Sequence, residues 1–161
     1  MSIIPSEIKY YKSATSTSLG GAITATELSG AANDLFDPVT GDEADSGDIE
    51  YRCIYVKNTN GTIPLGSPRV FILTNTPSTF TDIEIGLGVS AIDGVEPSVA
   101  DENSAPVGVV FSLANGYSNG LAFPTLSPGQ YKAVWLRRNV DIAARAYNSD
   151  SVIISTTGYT S

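Results

Sequence analysis

Few residues in this chain could do chemistry, and the best-placed pair is Asp82 and Glu84 in FTDIEIGL (80–87). A spacing of two puts both carboxylates on one face of a strand. Beside Phe80 they resemble the acid and its partner in a sugar-cleaving cleft. No other strand-like segment offers matching carboxylates, so the plainer expectation is a solvated strand face opposite Ile83, Ile85 and Leu87. A second cluster is DLFDPVTGDEADSGDIE (34–50), with seven acidic residues and no basic one. Oxygen ligands gathered beside a glycine suit Ca²⁺. EF-hand spacing is absent, however, and the expectation is a charged loop facing solvent or a partner. Cys53, the only cysteine, alternates with Tyr51 and Tyr55 and reads as a small buried hydrophobe. Being alone, it allows no disulfide within the chain.

The chain contains no histidine. That removes the commonest general base, the commonest transition-metal ligand and every Ser-His or Cys-His nucleophile pair. No P-loop, G-x-G-x-x-G or Cys-x-x-Cys occurs, and IGLGVS (85–90) reads as a strand end. No catalytic, cofactor-binding or metal-binding residue is therefore expected, and the protein is read as a non-enzyme without a cofactor.

The elements that carry these residues are strands. In PGQYKAVWLRR (128–138) a Pro-Gly corner opens a segment that ends on the only tryptophan and an Arg-Arg pair. Gln130, Lys132, Val134, Leu136 and Arg138 share one face, and Tyr131, Ala133, Trp135 and Arg137 the other. Both faces are apolar in the middle and charged at the end. The segment must then be covered on both sides, by a second sheet and a loop or by another chain. Trp135 is expected as a core anchor. Arg137 and Arg138 point to opposite faces, either as solvated charges or with one reaching the acidic loop and the other a neighbour. IEYRCIYVK (49–57), RVFILT (69–74), FTDIEIGL (80–87), VGVVFS (107–112) and SVIIST (151–156) have similar strand composition. Asn-Gly, Pro-Gly and prolines punctuate them.

The first 48 residues differ. SEIKYYKS (6–13) alternates as one early strand, and SATSTSLGGAIT (13–24) reads as a loop or extended arm. TATELSGAANDLF (24–36) gives the one helical hint, because Thr24 and Glu27 have capping-box spacing. The expected fold is all-β, an antiparallel β-sandwich or jelly roll with an extended N-terminal arm and at most one short helix. One domain fills 1–161: strand and arm at 1–30, acidic loop or short helix at 31–48, main sandwich at 49–161.

A net charge of −8 disfavours nucleic acid, and no apolar run is long enough for a membrane span. The start MSIIPSEIKYYKS lacks the features of a signal peptide, so folding in the cytoplasm is expected. Removing the seven acids of 34–50 leaves a surface of nearly neutral balance, as in a subunit that contacts others.

Four segments together resemble a family of small virion structural proteins of tailed bacteriophages. They are NDLFDPVTGDEADSGDIEYRCIYVKNTNGT (33–62), LTNTPSTFTDIEIGLG (73–88), the AP-x-GV-x-FS run at 105–112, and LSPGQYKAVWLRR (126–138). The resemblance implies a virion component, assembled in the host cytoplasm, with no catalytic motif. Among virion components the expected role is a capsid decoration (cement) protein that bridges major capsid subunits, and a homo-oligomer is expected. A neck, tail or baseplate component is the nearest alternative. A carbohydrate- or receptor-binding module using Trp135 and tyrosines as stacking platforms is a more distant one.

Overall fold

The protein is represented by a computed structural model that describes residues 2–14, 17–147 and 150–160. Two antiparallel sheets face one another. The first holds β1 (Ile8–Ser13), β2 (Ile23–Glu27), β3 (Asp48–Asn58), β5 (Thr81–Leu87) and β7 (Tyr131–Val140), in the order β2-β1-β3-β7-β5. The second holds β4 (Gly66–Thr74), β6 (Leu121–Ala122) and β8 (Ile153–Tyr159), in the order β6-β4-β8. This is an all-β sandwich. The single α-helix among the described residues, α1 (Gly41–Ser46), lies in the acidic window.

The backbone of the fold is the β3–β7 ladder, in which Cys53 stands opposite Trp135 and Ile54 opposite Val134. Alternation then separates two cores. Ile54, Val56, Ile83, Ile85, Val134 and Leu136 face the second sheet and meet Val70 and Ile72. Tyr51, Cys53, Tyr55, Ala133 and Trp135 face the other way, packed against Val99, Val109 and Phe111. Both faces of Pro128–Arg138 are thus closed within one chain, one by a sheet and one by a loop.

That loop runs from Gly88 to Ala114, and its own structure is irregular. The strand expected at 107–112 is not formed. Only Ser112 bridges to Ile85, and Gly108 takes φ +80°, a left-handed conformation that a β ladder does not continue through. Gly86 permits the close approach: a Cβ there would lie 2.5 Å from Val109 Cγ1.

The helix suggested at 24–36 is also absent. Thr24 donates its hydroxyl to Lys12 O in the β1–β2 pairing, and Gly30 adopts φ +73°. The capping box sits instead at Thr40, which accepts from Glu43 N while the Glu43 carboxylate accepts from Thr40 N. Residues 17–21, expected within an arm, join the cover over the Trp135 face. Cys53 N donates to Ser18 O (2.6 Å) and Val99 N to Leu19 O (3.0 Å). Thr15 and Ser16 lie outside the described residues.

Candidate functional site

Three arrangements bear on what the surface can do. The first is a knot of charge at the end of the inter-sheet core. Arg138 and Arg52, from paired strands, lie with their guanidinium carbons 4.9 and 5.1 Å from the Phe36 ring centroid. Arg138 is hydrogen-bonded to Glu50 and donates to Asp37 O (2.7 Å). Arg52 reaches Glu102 (2.6 Å), Asp37 (3.2 Å) and Glu50 Oε1 (3.5 Å). Glu50 is 1% exposed. Burial pushes its pKa up to about 7, with Arg138 and Arg52 pulling against that rise.

Two carboxylate triplets, Asp37-Glu50-Glu102 and Glu43-Asp48-Glu50, hold oxygens within 4.8 Å of one another. Protein donors already serve them. Arg52 and Arg138 supply positive charge to the first, while Thr40 N and Asn103 Nδ2 donate to Glu43 and Asp48. Part of the acidic window is therefore turned inward as the counter-charge of two arginines.

The second arrangement pins the irregular cover. Glu96, 2% exposed, accepts from Val89 N, Ser90 N and Trp135 Nε1, each at 2.9 Å. Burial raises its pKa, but these hydrogen bonds outweigh burial and hold it below the usual carboxylate range. Lys132 donates to Gly88 O and Ser90 O. Tyr55 OH joins the two cover segments, donating to Gly21 O and accepting from Glu96 N.

The remaining residues singled out by sequence fall as follows. Trp135 is fully buried. Arg137 pairs with Glu84 and lies 5.1 Å from the Phe111 ring, so each arginine has an ion-pair partner inside the chain, one on each face. Asp82 accepts from Asn139 Nδ2 (2.8 Å). Asp82 and Glu84 therefore form a ladder of polar pairs with β7. Cys53 is buried, and burial raises its thiol pKa.

The third arrangement is a groove of about 1030 Å³ beside β8. Its floor is Tyr10, Ile54, Ile83 and Leu136, and one wall is Val152 and Ile154. The opposite wall is the 28–41 segment, with Ala144–Tyr147 closing one end. On the other side of the five-stranded sheet, the cover exposes Val107 (92%), Val110 (81%) and Val89 (51%). The Val89 side chain would lie 3.1 Å from a Cβ built on Gly108, so these valines are neighbours.

Glu96, Phe36 and the groove were missed by sequence reasoning. Glu96 is one carboxylate between Val95 and Pro97, with no periodic neighbour to mark it. The exposed valines did carry a signal, since no charged residue occurs from Asn103 to Tyr131. Compared with protein-family models, curated proteins and solved structures, the chain matches none of them.

Proposed function

We propose that the protein is a non-enzymatic structural subunit of a tailed-phage virion, most specifically a capsid decoration protein that bridges major capsid subunits. The observation that carries this reading is the exposed valine patch on the part of the cover, from Asn103 to Ala114, that carries no charge. Val107 and Val110 stand almost wholly in water on a chain of net charge −8, and apolar side chains grouped in this way mark contact surfaces. The resemblance over 33–62, 73–88, 105–112 and 126–138 supports the virion. In this role the subunit adds buried surface across capsid joints and raises the barrier to rupture. The stacking-platform alternative loses Trp135 and Tyr55, which are fully buried, and keeps only exposed tyrosines such as Tyr117 and Tyr159.

The test is to add purified protein to phage heads lacking it, then measure occupancy and heat resistance. Binding with higher heat resistance is the expected result. Failure to bind heads, with co-purification in necks or tails, would replace decoration by the neck-or-tail reading.

A further inference from the structure

The groove and the exposed valines complement each other in shape class and chemistry, and they lie on opposite faces of the same sheet. The groove floor consists of β-strand residues that face the second sheet, whereas Val109 and Phe111 anchor the valine loop to the Trp135 face. A chain cannot fill its own groove with its own loop.

The groove wall demands more than an apolar occupant. Ile72 of β4 donates its N–H to Ala114 O and accepts from Gly116 N, both on the side away from β8. Ile154 stands directly opposite Ile72 in the β4–β8 ladder. This pair therefore lacks cross-strand hydrogen bonds, and in an antiparallel ladder the N–H and C=O of Ile154 then point outward, along the groove wall. Among the described residues no hydrogen bond reaches the β8 backbone on that edge; the Tyr10 hydroxyl meets only the Thr156 side chain (2.7 Å). The other long edge is closed. On β5, Asn75 bonds both N and O of Ile83, and Ser112 bridges Ile85. An acyl chain in the groove would cover the Ile154 backbone without pairing it, whereas a peptide loop brings backbone groups that can pair it together with apolar side chains that fill the groove. The segment 105–111, APVGVVF, is uncharged and belongs to no strand in its own chain; it turns at Val107–Gly108 and leaves the Val107 and Val110 side chains outermost. β8 itself, IISTTGY, also carries no charge to repel it.

We propose that the Val107–Val110 loop of one copy docks along the β8 edge into the groove of the next, so that the protein associates head to tail. A patch that fits a pocket elsewhere on the same molecule gives a heterologous contact, which closes into a ring or continues as an array. This contact shares the exposed valines with the virion reading but does not need the virion. Self-association is read on purified protein, whereas decoration is read on heads, so each can fail alone.

The experiment is sedimentation velocity on four proteins. Wild type should form concentration-dependent species larger than one chain. A loop variant, Val107→Asp with Val110→Asp, should remain a monomer with an unchanged melting temperature, because both positions are exposed. Two groove variants serve as cross-checks: Ile154→Pro, which removes the outward N–H, and Ala32→Glu, on the exposed wall. Each should be monomeric alone. The loop variant keeps a working groove and a groove variant keeps a working loop, so mixing them should give a 1:1 dimer and nothing larger. The proposal is overturned if wild type stays monomeric up to about 1 mM. It is equally overturned if the loop variant associates like wild type, if the mixture forms no dimer, or if native mass spectrometry finds the groove of a monomer holding a lipid.

Discussion

The two faces of the five-stranded sheet are buried by different means. One meets a second sheet, and its residues are aliphatic: Ile54, Val56, Ile83, Ile85, Val134 and Leu136. The other meets an irregular loop, and its centre is aromatic: Tyr51, Tyr55 and Trp135. A covering sheet satisfies its own backbone through its ladder and contributes only side chains. A covering loop has no ladder, so its backbone groups need side-chain partners. Lys132 and the Tyr55 hydroxyl supply them from the sheet, and Glu96 from within the loop while it is held by Trp135. The polar atoms of the aromatic face are thus part of its packing. The arginine pair repeats the contrast at the edge, since each arginine has a glutamate and a phenylalanine, but only Arg138 is tied to a fully buried carboxylate.

The largest expected effect comes from Trp135→Ala, which empties the loop-covered core and removes a donor from Glu96. A loss of about 3–5 kcal/mol is expected in chemical denaturation. A loss below about 1 kcal/mol would mean that the cover contributes little to stability.

The arginines sharpen the comparison. Arg138→Ala leaves Glu50 buried beside only Arg52 and should cost roughly 3–5 kcal/mol. Arg137→Ala breaks a pair whose members are 29% and 16% exposed, and should cost about 1 kcal/mol or less. Equal losses would show that the two ends are not differently buried.

The two buried carboxylates should also differ in sign with pH. The pKa of Glu96 is lowered on folding, so its stabilisation is present above its unfolded value and is lost as pH falls through the folded one. The pKa of Glu50 is raised to about 7. Its contribution is therefore complete below the unfolded value and is lost as pH rises towards 7 and through it. Melting temperature against pH should show an acid limb that flattens in Glu96→Gln. A decline from weakly acidic to neutral pH should flatten in Glu50→Gln. If either variant flattened the other's limb, the assignment of the two faces would be reversed.

The smallest effect concerns the acidic window. Because Thr40 N, Asn103, Arg52 and Arg138 already serve its inward carboxylates, adding Ca²⁺ or EDTA should leave the melting temperature nearly unchanged. A tight site would stabilise by about 2.7 kcal/mol at a hundredfold excess over its dissociation constant.

Much of the sandwich was legible because its strands obey period two. β3, β4, β5, β7 and β8 fall where alternation and β-branched composition placed them, and Trp135 and Cys53 are buried as their neighbours implied. The failures share a cause. VGVVF has strand composition, but the left-handed turn at Gly108 keeps it off the β5 edge, and only the following Ser112 bridges to Ile85 there. Thr24 to Glu27 has the spacing of a capping box, yet pairing with β1 made those residues a strand, while the same spacing at Thr40–Glu43 opened a real helix. The partners of Glu96 come from positions far apart in sequence, so no local pattern predicted it. The groove depends on the second sheet having fewer strands than the first, a feature of topology that composition does not encode.

The central claim is that both faces of β3 and β7 are closed by this chain alone, and native-state hydrogen exchange on the isolated, dilute protein tests it most directly. The amides of β3 and β7 that lie in the β3–β7 ladder should exchange only through global unfolding, with the same free energy on both sides of Trp135. Fast exchange there by local opening, suppressed only when a second protein is added, would show that one face is covered by another chain and would contradict the account.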